Sequence, residues 1–201
     1  MKRFKITLLA LCTIVAFSCK ENTNKSSDAE NGEEMNQESA DQKEMDQEAK
    51  EKKMLVINLE PKSGSNLSGE ATFTEDDGEV TMKATIKGLA EGKHAIHIHE
   101  KADCSAEDGT SAGGHWNPTG QPHGKWGDEA GYHKGDIGNF TVEDNGTGTV
   151  EMTTDEWCIG CEDDTKNIVG KAIIIHDGVD DFTSQPSGAA GTRVGCGVIK
   201  M

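Results

Sequence analysis

The sequence predicts an all-β domain, because glycines are frequent, aromatic residues are few, and short segments of alternating apolar residues are separated by turn signals. The 201 residues include 24 glycines, and aromatic side chains make up 4% of the chain. This composition suits short strands joined by many turns better than it suits helices. The first fifty residues or so differ in composition from the rest, which predicts one domain over residues 54–201.

The strands are predicted from alternation. Segment 54–59 is rich in β-branched residues, and apolar residues alternate on both sides of the turn Asp76-Asp77-Gly78, which predicts a hairpin with one buried face. Further predicted strands are 95–99, 138–142, 148–152 and 171–176, with Asn145-Gly146 turning one pair. A glycine-rich segment between Glu100 and Gly138 separates the first two of these strands, and a loop of that length inside a compact domain indicates a function or a covalent staple.

The N-terminus predicts export. Residues 1–19 carry three basic residues in the first five positions and an apolar run over 6–17, which is the layout of a signal peptide and is too short to span a bilayer. Cys19 follows a small residue and precedes polar sequence, as in a bacterial lipobox, so we expect acylation there. Ala16 and Phe17 depart from the usual lipobox residues, which leaves secretion with cleavage nearby as the alternative.

Residues 20–53 are predicted to be a disordered tether, because their polar composition cannot bury enough apolar surface to fold alone. A near-repeat relates 34–38 to 44–48, and each copy carries a methionine. A solvated spacer is the expected role, and copper scavenging by these methionines is the alternative. Together with Cys19, the tether predicts a protein of the cell envelope, anchored by lipid to a membrane and facing the periplasm or the cell surface.

The charge of the chain excludes one class of partner. The formal net charge is −16, and nucleic-acid binding requires clustered Lys and Arg, which the sequence does not supply. Any anionic substrate must therefore be attracted by a local positive charge.

The histidines are the strongest functional signal. All seven fall between positions 94 and 176. Residues two apart in a strand share a face, so His97 and His99 point the same way and can chelate a metal together. His94 points the other way and is expected to pack.

The glycine-rich loop supplies the rest of a two-metal constellation. Three imidazoles and a carboxylate suit a closed tetrahedral zinc site; these are His115, His123, His133 and Asp136. Four imidazoles suit Cu(II); these are His97, His99, His115 and His176. His115 would then serve both metals.

Ordered motifs throughout the domain resemble the copper/zinc superoxide dismutase family, over about residues 55 to 199. The motifs are GKHAIHIHE, SAGGHWNP, PHG, HKGDIGN, IIIHDGVDD and GTRVGCGVI, and SQPSGAAGTRVGCGVI resembles the bacterial branch. The resemblance implies an eight-stranded Greek-key β-barrel or sandwich with long metal-binding and electrostatic loops, one copper and one zinc per subunit, and the same two ligand sets. It also implies a carboxylate at Asp180 that hydrogen-bonds the copper ligand His97 and the zinc ligand His123, and an active-site arginine at Arg193. Ser187 is given no role, because the loop around it is shorter here.

The family resemblance implies disproportionation of superoxide to oxygen and hydrogen peroxide at the copper, with a structural zinc. His115 is expected to leave copper on reduction, to take up a proton and to return it on reoxidation. The alternative is a copper/zinc binding or buffering lipoprotein without turnover. A complete ligand set and Arg193 favour catalysis, because storage requires neither a steering cation nor a bridging ligand.

Four cysteines fall within the domain. Cys104 and Cys196 match the family's intrasubunit disulfide, which an exported protein can keep. Cys158 and Cys161 lie in a Trp-Cys-x-x-Cys segment outside the family pattern; a local disulfide is expected, and an accessory metal or redox site is the alternative. The sequence leaves open whether the protein is a monomer or a homodimer.

Overall fold

The computed structural model describes residues 52–201, which form a closed antiparallel β-barrel of eight strands. The all-β prediction is confirmed. The strands are β1 (Lys53–Pro61), β2 (Ser68–Asp76), β3 (Glu79–Lys87), β4 (Gly92–His99), β5 (Gly138–Val142), β6 (Thr147–Thr154), β7 (Ala172–His176) and β8 (Arg193–Val198). A short 3-10 helix spans Thr110–Ala112. The predicted signal peptide 1–19, its Cys19 and nearly all of the tether 20–53 lie outside the described residues.

The order of strands around the barrel is β1-β2-β3-β6-β5-β4-β7-β8. The pairings of β3 with β6 and of β4 with β7 join strands that are not consecutive in the chain, which is the connectivity of a Greek key. Closure by β1 and β8 removes the exposed sheet edges. Within residues 52–201, no helix is long and apolar enough to cross a membrane.

The β2–β3 hairpin forms where the sequence predicts it. Asp77 and Gly78 both adopt left-handed backbone angles, with φ values of 49° and 85°. A two-residue turn with two positive φ values matches the right-handed twist of the flanking strands. The pairing then runs without interruption from Asp76 opposite Glu79 to Ser68 opposite Lys87, so that the apolar residues of both strands face one interior.

The barrel interior is filled by apolar side chains that alternate along the strands. On β3 the residues that point inward are all buried; these are Val80, Met82, Ala84 and Ile86. The same core includes Phe73, Ile96 and Ile98. The interior is therefore a packed apolar core that carries no metal ligand.

Strand β8 is not predicted by the alternation of apolar residues, because glycines occupy its inward positions. A Cβ at Gly195 would lie 2.6 Å from Leu67 Cδ1, and one at Gly197 would lie 2.8 Å from Leu59 Cδ2. The core leaves no space for a side chain at either position. The strand thus lacks the apolar periodicity that marked the others, and only the family resemblance implied it.

Strands β4 and β7 are buried on both faces. Ile96 and Ile98 face the core, whereas His97 and His99 face outward and are covered by the 100–137 loop. A second apolar cluster lies on this outer side; its members are Ala112, Ala172, Ile174 and Cys196, with Cys104 packed against them. The long loop therefore covers one wall of the barrel, and the side chains predicted to bind metal lie between the loop and that wall.

Candidate metal centre

The structure brings all of the predicted ligands into two adjoining groups. Within each group the ligand atoms lie within 4.8 Å of one another, and all of the residues are buried. The first group contains His97, His99, His115 and His176. The second group contains His115, His123, His133 and Asp136. His115 belongs to both, as the sequence predicts for a shared ring.

Strand register places the first group. His97 and His99 lie on the outer face of β4, and the neighbouring strand β7 ends at His176. An isolated bridge pairs His99 with His115, which brings the loop residue over the strand. The rings of His97 and His115 lie 4.0 Å apart, and those of His97 and His176 lie 5.0 Å apart. Three segments far apart in sequence thus present imidazoles to one point.

The donor atoms fit metal ions. Within residues 52–201, the buried side-chain nitrogen and oxygen atoms without a hydrogen-bond partner are all histidine nitrogens; they are Nδ1 of His97, His123 and His133 and Nε2 of His99, His115 and His176. A buried unpaired polar atom is costly, and native structures rarely keep one without a reason. Six such atoms, one on each histidine of the two groups, are accounted for by metal coordination.

The opposite nitrogens of these rings are held by hydrogen bonds that set ring orientation. His97 Nε2 lies 2.8 Å from Asp180 Oδ2, and His99 Nδ1 lies 2.9 Å from the carbonyl oxygen of Gly113. Such a partner fixes the tautomer and leaves the other nitrogen free for the metal. His115 differs, since its Nδ1 lies 2.8 Å from Asp136 Oδ1 in the second group while its Nε2 faces the first.

Asp180 joins the two groups. Its carboxylate oxygens lie 2.8 Å from His97 Nε2 and 2.9 Å from His123 Nε2. The backbone of Asp180 is itself held by Asn139, whose amide oxygen accepts its N–H and whose amide nitrogen donates to its carbonyl. Gly188 permits this contact, because a Cβ there would lie 1.8 Å from Asp180 Oδ1. One fixed carboxylate therefore orients a ligand of each group.

Burial keeps three imidazoles of the first group neutral. Burial lowers the pKa of His115 to about 4 and that of His176 to about 3, and nearby histidines lower both further. The pKa of His99 is also lowered, by burial and then by His115. A neutral imidazole is the form that binds a metal, so at neutral pH these three rings are ready for coordination.

The second group is electrostatically different. Burial raises the pKa of Asp136, but the adjacent imidazoles of His115, His123 and His133 outweigh that effect and hold the pKa far below its usual value. Burial lowers the pKa of His123, but the neighbouring carboxylates of Asp136 and Asp180 raise it to about 9. An ionised carboxylate among three imidazoles matches the charge and tetrahedral preference of zinc.

Arg193 lies beside the first group. It pairs with His176 across the β7–β8 ladder, where the register shifts. Its guanidinium donates a hydrogen bond of 2.9 Å to the carbonyl of Gly109, and burial lowers its pKa while Asp108 opposes that effect. An arginine stays charged at neutral pH. The structure therefore places a fixed cation at the rim of the first group.

Both predicted disulfides are formed. Cys104 is bonded to Cys196, 92 residues away, which ties the loop to β8. Cys158 is bonded to Cys161.

The sequence predicts that His94 packs and binds no metal. His94 lies against Phe140, and its ring nitrogens face backbone carbonyls.

Two residues near the second group escape sequence reasoning. The amide of Gln185 accepts the N–H of His123 at 2.9 Å and donates to its carbonyl at 2.8 Å. Glu156 accepts hydrogen bonds from Tyr132 and Lys134, the two neighbours of His133. Gln185 is 62 residues from His123, and Glu156 is 24 and 22 residues from Tyr132 and Lys134. No local sequence pattern links residues so far apart.

The contact between Glu156 and Tyr132 makes a pH-dependent prediction. The hydrogen bond to Glu156 raises the pKa of Tyr132, the single tyrosine of the chain, to about 12. The neutral phenol is thus favoured by folding, and this stabilisation is present at neutral pH and lost as the pH rises through that value. Ultraviolet absorbance should report one late tyrosine ionisation, and Glu156→Gln should shift it to lower pH. Identical titrations in both proteins would contradict the contact.

Known proteins resemble the chain over most of the barrel. The family model described as copper/zinc superoxide dismutase matches residues 67–199. A Cu-Zn superoxide dismutase of Haemophilus parainfluenzae is 35% identical over 156 residues, covering 72% of this chain and 80% of the relative. Cu-Zn superoxide dismutase 2 of Aquifex aeolicus is 37% identical over 150 residues, covering 72% and 84%.

A solved structure is also similar to this chain in fold and sequence. The crystal structure of a double mutant of a SOD-like protein from Bacillus subtilis superposes with a TM-score of 0.65 and 32% identity, covering 73% of this chain and 97% of that one. The family match, the closed Greek-key barrel and the two ligand groups agree with one another, and this chain belongs to the copper/zinc superoxide dismutase family.

Proposed function

We propose that this protein disproportionates superoxide in the cell envelope, with copper bound by His97, His99, His115 and His176 and zinc bound by His115, His123, His133 and Asp136. The observation that carries the proposal is the convergence of six unpaired, buried imidazole nitrogens into two groups that share one ring. The catalytic assignment is supported by the family, whose named relatives are superoxide dismutases.

Bound copper supplies one-electron redox chemistry, so that one superoxide is oxidised to oxygen and a second, with two protons, is reduced to hydrogen peroxide. The protein fixes the ligand nitrogens through Asp180 and the backbone carbonyls, so that little reorganisation is needed during turnover. Nε2 of His115 faces the copper group and its Nδ1 faces Asp136. This ring is therefore placed to hold or release a proton at Nε2 while its other nitrogen stays anchored.

Arg193 attracts and orients the anion. The chain is strongly acidic, with a formal charge of −16, so most of its surface repels superoxide. A cation beside His176 creates a local attraction, and such focusing raises association rates. Arg193 also presents a planar set of donors to a small anion.

Replacing Arg193 should slow the reaction through the encounter step. We expect Arg193→Gln to lower kcat/KM about tenfold or more at low ionic strength, and to weaken its dependence on salt. Lys83→Gln is the matched control, since it removes the same charge from an exposed ion pair with Glu151 on the barrel surface. Superoxide decay after pulse radiolysis measures both. An equal loss in the two variants would show that total charge, not the position of Arg193, sets the rate.

The catalytic proposal is tested by metal loading. The purified domain is prepared with copper and zinc, with zinc alone and without metal, and superoxide decay is timed with excess superoxide. Many turnovers per protein molecule are expected only when copper is present. Decay that stops after about one equivalent of superoxide per copper would instead support the alternative of a buffering protein that does not turn over.

The location in the envelope rests on the N-terminal sequence. A signal peptide over 1–19, acylation at Cys19 and a spacer to residue 53 support an enzyme held near a membrane. Superoxide is an anion, and moving an unpaired charge into hydrocarbon is costly, so superoxide formed outside the cytoplasm needs an enzyme there. Labelling with radioactive palmitate tests this. The natural chain should be labelled and sediment with membranes, and Cys19→Ala should be unlabelled and soluble; an unlabelled natural chain would overturn the anchor.

A further inference from the structure

The segment 156–161 contains the Trp-Cys-x-x-Cys motif that the catalytic function does not use, and it contacts the residues on either side of His133. Glu156 begins this segment, just after β6. One carboxylate oxygen accepts the hydroxyl of Tyr132 at 2.5 Å, and the other accepts the ammonium of Lys134. Tyr132 and Lys134 flank His133 in the chain. A single carboxylate therefore holds both neighbours of one zinc-group ligand.

A second contact holds the backbone on one side of His133. The indole N–H of Trp157 donates a 2.8 Å hydrogen bond to the carbonyl of Lys134. The N–H of His133 is in turn bonded to Asp136 at 2.8 Å. Because the side chains of the two neighbours, the next carbonyl and the N–H of His133 are all held, the backbone that carries the His133 ring has little freedom to move.

The 156–161 segment is itself rigidly anchored. Trp157 is buried against Phe73 and Trp126, with ring centroids 6.1 and 5.6 Å away, and Ile159 belongs to the barrel core. The backbone of Cys158 forms an isolated parallel β-bridge with that of Asn167, and its side chain forms a disulfide with Cys161. Aromatic burial of this kind is among the largest packing contributions in a core. The residues that contact Tyr132 and Lys134 thus belong to a segment that is packed against the barrel core.

We propose that Glu156 is a positioning residue of the zinc site, and that the disulfide-closed 156–161 segment sets zinc affinity by holding His133 in its ligating position. The proposal rests on the zinc assignment made above. It gives the Cys158–Cys161 disulfide a role in zinc retention and assigns it no reactivity of its own. Outer partners of metal ligands commonly change metal affinity by about 10- to 100-fold, which sets the size of the effect.

The test is a zinc-affinity measurement by competition with a chromogenic chelator, on the full domain. Relative to the unchanged chain, Glu156→Ala should weaken zinc binding about tenfold or more, and Glu156→Gln, which still accepts the Tyr132 hydroxyl, should weaken it less. Replacing both Cys158 and Cys161 by alanine should weaken it in the same direction. Glu151→Gln is the matched control, because it removes an equivalent carboxylate from the exposed pair with Lys83.

Two further readouts separate positioning from general destabilisation. Cobalt bound in the zinc site should give an altered visible spectrum in Glu156→Ala, and copper affinity of the first group should stay within about threefold of the unchanged chain. Zinc affinity unchanged in Glu156→Ala, or zinc and copper affinity lowered equally, would overturn the proposal. Failure of the unchanged chain to bind zinc would instead overturn the zinc assignment.

Discussion

A His99→Ala variant is expected to lose nearly all superoxide-disproportionating activity while keeping its zinc. His99 is 1% exposed, and its Nε2 is one of four donors of the copper group. Removing a ligand should weaken copper binding and slow turnover by at least about 100-fold, since even partners of ligands are worth 10- to 100-fold. The four zinc-group donors do not include His99, so zinc content should not fall. Superoxide decay and metal analysis on the same preparation measure both effects.

His94→Gln is the matched control for this variant. Among the described residues, His94 is the histidine that belongs to neither group; it is also buried on β4, and its ring nitrogens face the carbonyls of Ala90 and His176. The substitution removes an imidazole and leaves every ligand in place. We expect its copper content and activity to stay within about threefold of the unchanged chain. If His99→Ala and His94→Gln retained equal activity, the copper group would be wrongly assigned.

Removing the Cys104–Cys196 disulfide should cost more stability than removing the other disulfide of the described domain. The bond joins residues 92 apart. Restricting a loop of that length in the unfolded chain stabilises the folded state by about 4 kcal/mol in the chain-entropy model. Substituting alanine at both positions should therefore lower the free energy of unfolding of the metal-free domain by about that amount. Denaturant unfolding measures it, and the slope must be compared before midpoints are converted.

The second disulfide provides the internal comparison. Cys158 and Cys161 are three residues apart, and closing so short a loop stabilises the folded state by about 2 kcal/mol or less. The double alanine variant at these positions should unfold at a higher denaturant concentration than the variant that lacks Cys104–Cys196. The long-range bond also ties down the loop that holds Gly109, which accepts the hydrogen bond from Arg193. Equal losses from both pairs would contradict the loop-length explanation.

Local patterns determined most of the barrel. Alternation marked the strands around the turn at 76–78, and period-two geometry placed His97 and His99 on a face opposite to Ile96 and Ile98. The strand that alternation missed was β8, because Gly195 and Gly197 leave room for the side chains of Leu67 and Leu59. Periodicity reports which side chains are apolar, so a strand whose inward positions have no side chain gives no signal.

By itself, the sequence determined the residue types and the order of the ligands. Six histidines and an aspartate in family order indicated two metals and a shared His115, because imidazole and carboxylate chemistry does not depend on where the chain runs. The Cys104–Cys196 pairing and the role of Asp180 in linking His97 and His123 came from the family resemblance, and the structure places those residues in contact.

Only the tertiary structure decided which nitrogen of each ring is left without a hydrogen-bond partner, and which residues hydrogen-bond the other nitrogen or fix the neighbouring backbone. Glu156 and Gln185 contact the zinc-group loop from segments that are distant in the chain, and nothing in their local sequence distinguishes them from surface residues. Their roles depend on the closed barrel, which brings the ends of β6 and β7 to the same loop. Hydrogen bonds between distant segments exist only after folding has placed them within about 3 Å.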